Sequence, residues 1–333
     1  MSRILYETVF GSRLYGCATP DSDVDIRGVY IPDPETILLG RKARAVALPV
    51  AAPELPASDD VLHQPVADFI SHIVSMRTNA VEILFAAAAD AARGRALTPE
   101  MHRILEAAPD LLNADISAFI GHAAQRAGMD FPDQIVLSGA SRAPADAGLH
   151  ALRATVAVLE QATDLGNPRL ADSPELQARL TALDDITLAE GRDGAPHLRV
   201  AHRMFPFPLT RRQLATQLTS QIEGLRTKKA KEAETRTPEK RAKDLYTALR
   251  MIEQAAELLE TGRITFPSPN AETYLDIRTG ALPATQAADL VAGAMERVAR
   301  AKEAPALPEK AREGAADALL LELHKSAVAP AFA

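Results

Sequence analysis

Two aspartates one residue apart, Asp23 and Asp25, follow a Gly-Ser pair, Gly11 and Ser12, in the stretch GSRLYGCATPDSDVDIRG near the start of the chain. Alternate residues of an extended strand face the same side, so Asp23 and Asp25 present two carboxylates next to each other. Such a pair repels itself unless a cation lies between, and hard divalent ions such as Mg²⁺ take oxygen ligands. Phosphoryl-transfer sites commonly hold two such ions ~4 Å apart, between protein carboxylates and substrate phosphates. Glycine permits close backbone approach, so Gly11 and Ser12 offer N–H groups and a hydroxyl to phosphate oxygens. An anion end at the turn and a metal end at the carboxylates together make a nucleotide site. Asp-Ser-Asp alone is a common turn composition, and Asp21 reads as a turn residue; the weight rests on the whole motif.

The elements that must position these groups are short. Ile4 to Phe10 reads as a strand that stops at Gly11, and Val24 to Ile31 as a second strand closed by Pro32 and Pro34, with the motif between them. A short strand is expected near Ala45 to Leu48, followed by a Pro-rich loop, and another over Asp60 to His63. From Val66 the period changes: Phe69, Ile70, Ile73 and Val74 fall on one helical face. Leu111, Leu112, Ile116, Phe119, Ile120 and Ala123 predict one amphipathic helix, and most later segments read as helical, with breaks at 143–148, 164–174 and 191–197. The clearest late helix runs from about Pro238 to Thr261, with Leu245, Leu249, Ile252, Ala256 and Leu259 as its apolar stripe, charged faces elsewhere, and Gly262 as its cap. Lys243, Tyr246 and Arg250 project from one side of it. Residues 223–243 carry eight Lys/Arg against four Glu. The pattern is α+β: an N-terminal domain with a small mixed β-sheet over residues 1–100, then a mainly helical domain over 101–333.

Composition bounds the function. With 333 residues, 47% of them hydrophobic, the chain can bury a full core and is long enough for two domains. Its 37 basic and 44 acidic side chains give a net charge of −7, which argues against non-specific coating of nucleic acid while leaving room for a local basic groove. Cys17 is the single cysteine, so neither an intramolecular disulfide nor a Cys-rich zinc site can be built, and a reducing cytoplasm is the expected compartment. No histidine or cationic cluster lies near it to activate the thiol, and it reads as a small loop residue. His63 and His122 read as ordinary packing or surface residues. No eighteen-residue apolar run occurs, and no signal peptide or membrane span is expected.

The stretch GSRLYGCATPDSDVDIRGVYIP resembles the core of the polymerase β-type nucleotidyltransferase superfamily, whose pattern is a Gly-Ser turn followed by Asp-x-Asp. More narrowly, its GSxxYGxxTPxSDxDxRGVY form is similar to the nucleotidyltransferases of the RNA repair pathway polymerase β family. Asn79 to Phe85 resembles the family's Asn-Pro-x-x-x-Glu-x-Leu segment, with Ala80 where proline is usual. Phe119 to Gln125 resembles its helical Gly-aromatic-Ala segment. Lys243 to Arg250, Glu257 to Pro267 and Tyr274 to Gly280 resemble its Lys-x-x-His-x-x-x-Arg helix, ELL-x-TG-x-I-x-FP turn and IR-x-G element, with Tyr246 where the family has histidine.

The resemblance implies that Asp23 and Asp25 bind metal and that Gly11 and Ser12 contact the nucleotide phosphates. A third carboxylate on a nearby strand would bind metal and help deprotonate the attacking hydroxyl. Asp60, which opens the strand DVLH beside Asp59, is the choice; Asp68 falls inside a helix and Glu82 reads as structural. Ser22 and Arg27 join the nucleotide-binding set, Arg27 alternatively pairing with Asp21 or Asp23 to hold the hairpin or orienting the metal ligands. Lys243 and Arg250 would face the triphosphate from the helical domain. The implied activity is transfer of a nucleoside monophosphate from an NTP, with Mg²⁺ or Mn²⁺, to a hydroxyl, releasing pyrophosphate. The acceptor is an RNA 3′ end, a tRNA, a small molecule or a protein, and the basic excess at 223–243 favours nucleic acid. A nucleotide-binding module without turnover and a protein-AMPylating transferase of the toxin–antitoxin kind are the competing readings.

Overall fold

The computed structural model describes residues 2–58, 60–127, 145–183, 186–190, 194–200, 203–234 and 237–332. Asp59, residues 143–144 and 191–193 of the expected breaks, and residues 235–236 of the basic stretch lie outside them. The chain divides into two compact units, one formed by residues 1–129 and 241–333, the other by residues 130–240. Residue 100, near which the sequence changes character, lies inside the first of them.

The first unit opens with β1 (Arg3–Phe10), the single turn α1 (Ser12–Tyr15), β2 (Asp25–Ile31), α2 (Pro34–Leu38) and β3 (Asp60–Pro65). β1 pairs antiparallel with β2, and β2 parallel with β3, giving a three-stranded mixed sheet in the order β1-β2-β3. The expected strand at Ala45 to Leu48 reduces to one bridge, in which Val46 and His63 exchange backbone hydrogen bonds of 2.9 and 2.8 Å. Pro49 follows it, and a proline has no N–H with which to extend a ladder.

Helices α3 (Val66–Val74), α4 (Thr78–Ala92) and α5 (Pro99–Leu111) cover the sheet. Val66, Phe69, Ile70 and Ile73 bury the expected face of α3. α4 is buried on nearly every side from Ala80 to Ala87, as an alanine-rich helix at the centre of a core can be. α5 starts at a Thr98 cap with Pro99 in its first turn, a favoured combination. The helix expected across Leu111 to Ala123 is instead the end of α5 followed by α6 (Ser117–Ala127). Short polar side chains make the break: Asn113 donates to the Val74 carbonyl and accepts from the Asp115 N–H, and Asp115 accepts from the Ser117 N–H.

The second unit contains α7 (Ala145–Gln161), α8 (Pro174–Thr181), the strands β4 (Ile186–Glu190), β5 (Pro196–Val200) and β6 (Arg203–Pro206), and α9 (Arg211–Glu234). Within a region that is mainly helical as expected, this unit holds beside its helices a small antiparallel sheet, in the order β4-β5-β6. Leu198, Val200 and Phe205 carry the two-residue alternation that marks it, and they pack with Leu159, Leu176, Leu214 and Leu218 in this unit's own core.

The first unit is completed by α10 (Pro238–Thr261), α11 (Ala271–Thr279), α12 (Ala284–Ala301) and α13 (Ala315–Val328). α10 differs from the one-stripe expectation. From Tyr246 onward it is buried on several sides, Arg250 and Gln254 included, because it lies within the core rather than on top of it. Among the described residues no helix is long and apolar enough to cross a membrane.

Candidate active site

The sheet register sets the site. Phe10, the last residue of β1, pairs with Asp25, the first of β2, so the Gly11 turn begins beside the Asp25 carboxylate. Gly11 has φ 66° and ψ −145°, a region open essentially to glycine alone. A Cβ built on it would stand 2.9 Å from Oδ2 of Asp25. Any side chain here would be strained by its backbone and pressed against the carboxylate. Ser12 then opens α1, and its hydroxyl makes no hydrogen bond among the described residues.

On the other side of β2, the parallel register places Asp60 directly opposite Asp25. Arg27 lies between the two. Its Nη1 and Nη2 donate to Oδ1 and Oδ2 of Asp60 at 3.0 and 2.9 Å, and Nη2 is 3.6 Å from Oδ1 of Asp25. Arg27 therefore pairs with Asp25 and Asp60, not with Asp21 or Asp23. Burial pushes the Asp25 carboxyl above its usual range, and the hydrogen bond to Asp60 and the negative charges of Asp60 and Asp23 push the same way against Arg27. The Asp60 carboxyl moves down instead, held by the Arg27 hydrogen bonds and by Asp25.

Asp23 departs from the expected placement. β2 begins at Asp25, so Asp23 lies in the loop ahead of the strand, and the pleat argument for a shared face does not reach it. That loop is fixed by Arg13, whose guanidinium donates to the carbonyls of Ser22 and Asp23 at 2.9 and 3.4 Å. Ser22 is buried and its hydroxyl is engaged with the Thr19 N–H at 2.7 Å and the Thr19 hydroxyl at 3.0 Å, so it shapes the turn rather than facing solvent. Arg13 escapes detection in the sequence because its partners are backbone carbonyls, which leave no residue-type signal.

The late-helix residues separate. Lys243 is exposed, whereas Tyr246 and Arg250 are buried. Arg250 donates from Nη1 to Glu82 and, at 2.9 Å, to Gln254, while its guanidinium lies 3.7 Å from the centre of the Tyr15 ring. Glu82 is buried and also accepts from the Tyr15 hydroxyl at 3.0 Å. The structure thus brings Gly11, Asp25, Arg27 and Asp60 together at one end of the sheet, places Ser22 in the loop scaffold, and puts Arg250 in the core with the Glu82 read as structural.

Two further readings concern the interior. Cys17 is buried, burial pushes its thiol up, and its carbonyl accepts from Arg278 at 3.0 Å. His63 is fully buried: its Nε2 meets Glu7 at 2.8 Å while its Nδ1 accepts from the Leu48 N–H at 3.3 Å. Glu7 in turn accepts from the N–H groups of Ala51 and Ala52 at 2.9 Å each, so a buried Glu–His pair ties the 46–52 loop to the sheet.

Among the described residues, no three His, Cys, Asp or Glu side chains stand close enough to hold a metal by themselves. The donor chemistry nevertheless suits a hard divalent cation. Mg²⁺ is commonly bound by one or two carboxylates with substrate phosphates and water completing its shell, rather than by an all-protein cage. Asp25 and Asp60, all-oxygen donors opposite each other across a strand pair, would be the residues to hold such an ion, with Asp23 adding charge from the adjoining loop.

A small mixed sheet with carboxylates at the ends of adjacent strands and a glycine turn against one of them marks the first unit of an α+β protein. Residues 1–71 match the sequence model of the RNA repair pathway DNA polymerase beta family, the family that the opening motif resembles, and that name denotes a polymerase β-like nucleotidyltransferase family. The matched segment contains Gly11, Asp23, Asp25, Arg27 and Asp60 and ends within α3. Among curated proteins and solved structures, nothing matches the chain.

Proposed function

We propose that the protein is a metal-dependent nucleotidyltransferase that moves a nucleoside monophosphate from an NTP to the 3′ hydroxyl of an RNA, releasing pyrophosphate. The observation that carries this reading is the strand register that sets Asp60 opposite Asp25, with Gly11 against the same carboxylate. Asp25, Asp60 and Asp23 would hold Mg²⁺ or Mn²⁺, which when bound polarises the phosphoryl group and lowers the pKa of the acceptor hydroxyl. The backbone N–H groups and hydroxyl at Gly11–Ser12 bind and orient the triphosphate. Asp60, the more exposed of the strand carboxylates, accepts the proton from the acceptor hydroxyl. Arg27 holds Asp60 and Asp25 in place before substrate arrives and neutralises part of their mutual repulsion. Lys243, exposed on α10, is the remaining candidate cation for phosphate charge from the late helix.

The RNA acceptor rests on the basic excess at 223–243 and on the description of the matching family. Incubating the protein with labelled NTPs, Mg²⁺ or Mn²⁺, total RNA and lysate tests it. Label on RNA is the expected result. Label on a protein instead identifies an AMPylating transferase, and bound nucleotide with no transfer to anything identifies a binding module without turnover.

A further inference from the structure

The phosphate turn is carried by a helix that cannot support itself. α1 has four residues, and a single isolated helical turn fixes several backbone dihedrals for one or two hydrogen bonds, which is unfavourable in water. Its geometry must therefore come from tertiary anchors. Three of them meet at Tyr15: its hydroxyl donates to Glu82 at 3.0 Å, its ring lies under the Arg250 guanidinium at 3.7 Å, and its carbonyl accepts from the Ser268 N–H at 3.1 Å. Gly16 closes the turn in the left-handed conformation, and a Cβ there would stand 2.9 Å from Cβ of Pro267, so the segment carrying Ser268 also packs directly against the end of α1.

We propose that Glu82 and Arg250 are positioning residues for the phosphate turn. By holding Tyr15 they fix α1, and through it the Gly11–Ser12 backbone, and neither touches substrate. This rests on the reading of Gly11–Ser12 as the triphosphate contact. Arg250 is 4% exposed, its Nη1 is committed to Glu82 and Gln254, and its Nε is enclosed without a hydrogen-bond partner among the described residues, so the guanidinium is held in the interior beside Tyr15. A buried ion pair of this kind is rarely more stabilising than apolar side chains of the same volume, and its advantage is directional. Leucines in these places would fill the space without specifying where the Tyr15 hydroxyl points. Two patches distant in sequence, residues 79–85 and 243–250, thereby act on one turn at residues 11–16.

Tyr15→Phe is the mildest probe, since it removes one hydroxyl and keeps the ring under Arg250. Losing one hydrogen bond to a buried carboxylate is worth about tenfold in an equilibrium. Amide hydrogen exchange of residues 11–17 in the nucleotide-free full chain is therefore expected to speed up about tenfold, while α3 residues 66–74 keep their wild-type rate. With MgATP as the probe, KM is expected to rise by about the same factor with kcat within about twofold, the signature of lost ground-state binding. Glu82→Gln also strands the Arg250 charge and lowers the stability of the whole fold, so here exchange at residues 11–17 is expected to speed up by more than exchange in α3. Unchanged exchange at 11–17, or an equal rise throughout the molecule, would overturn the proposal. So would a loss of ATP affinity in Arg250→Lys with no change in exchange at 11–17, which would mark Arg250 as a direct phosphate contact. Wild-type protein that binds no MgATP would instead remove the nucleotide reading, while the exchange of residues 11–17 still decides whether the cluster orders the turn.

Discussion

Two carboxylate–guanidinium contacts in the first unit use the same chemical groups in opposite surroundings. Arg27 meets Asp60 and Asp25 at the open end of the sheet, where the two acidic side chains are 61% and 30% exposed. Arg250 meets Glu82 in the interior, where the side chains are 4% and 1% exposed. An exposed pair contributes about 0–1 kcal/mol and is readily screened, so its arginine can give way to another cation. A buried pair cannot exchange partners, because removing one charge strands the other away from water. The first contact suits a place where cations arrive and leave, and the second suits a fixed strut.

The sharpest way to break this comparison is to separate activity from stability. Asp23→Ala combined with Asp25→Ala is expected to reduce nucleotide transfer by at least about 10⁴-fold, about 5.5 kcal/mol of barrier. The unfolding midpoint should hold or rise, since removing like charges relieves repulsion in the metal-free protein. Transfer at the wild-type rate in this variant would end the assignment of these carboxylates. Glu82→Ala is expected to do the reverse to the fold, lowering stability by about 3–5 kcal/mol in urea unfolding. Asp60→Ala should stay within about 1 kcal/mol by the same measurement. Equal losses for the two would mean that exposure does not distinguish the contacts.

A smaller effect tests the turn that faces the exposed pair. Gly11→Ala must place a Cβ at φ 66° and 2.9 Å from the Asp25 carboxylate. Strain of this kind costs about 1–3 kcal/mol, so reduced stability and weaker MgATP binding are expected together. An alanine variant with wild-type midpoint and affinity would show that the turn tolerates a side chain and that its closeness to Asp25 is incidental.

The residues around the exposed contact were the more legible in the sequence, although Arg27 was expected to pair with Asp21 or Asp23, and the reason is local. Gly11, Asp25 and Asp60 lie at strand ends, where β-branched runs and turn residues announce the register, and the mixed α+β class follows from the same runs. Asp23 shows the limit, because an alternation argument needs the strand to extend to it and β2 starts two residues later. The buried contact was half legible. Spacing put Lys243, Tyr246 and Arg250 on one side of a helix, but spacing cannot say whether that side meets solvent, and 168 residues separate Arg250 from Glu82. The sheet of the second unit shows another limit: three strands of four or five residues hid among segments that read as helical. Where a helix was expected to run through residues 111–123, hydrogen bonds from Asn113 and Asp115 to neighbouring backbone won over hydrophobic period.

Between the two contacts lies a third, at the end of α4, and it shows whether exposure acts as a continuous scale. Asp90 is 16% exposed and accepts from Arg95 at 2.7 Å, Arg93 at 2.6 Å and the Tyr6 hydroxyl at 2.8 Å. Burial alone would push its carboxyl up, but the hydrogen bonds from Arg95, Arg93 and Tyr6 outweigh it and hold the carboxyl below its usual range. The folded state therefore favours the ionised form. The resulting stability is present above the unfolded carboxylate pKa, near 3.9, and is lost as the pH falls through the lower folded value. Asp90→Asn is accordingly expected to cost about 1–2 kcal/mol at pH 7, between the Asp60 and Glu82 variants. The gap from wild type should close as urea unfolding is repeated at successively lower pH below about 4. A gap that stays constant across that range would mean that packing of the side chain, not its charge, sets the contribution of this contact.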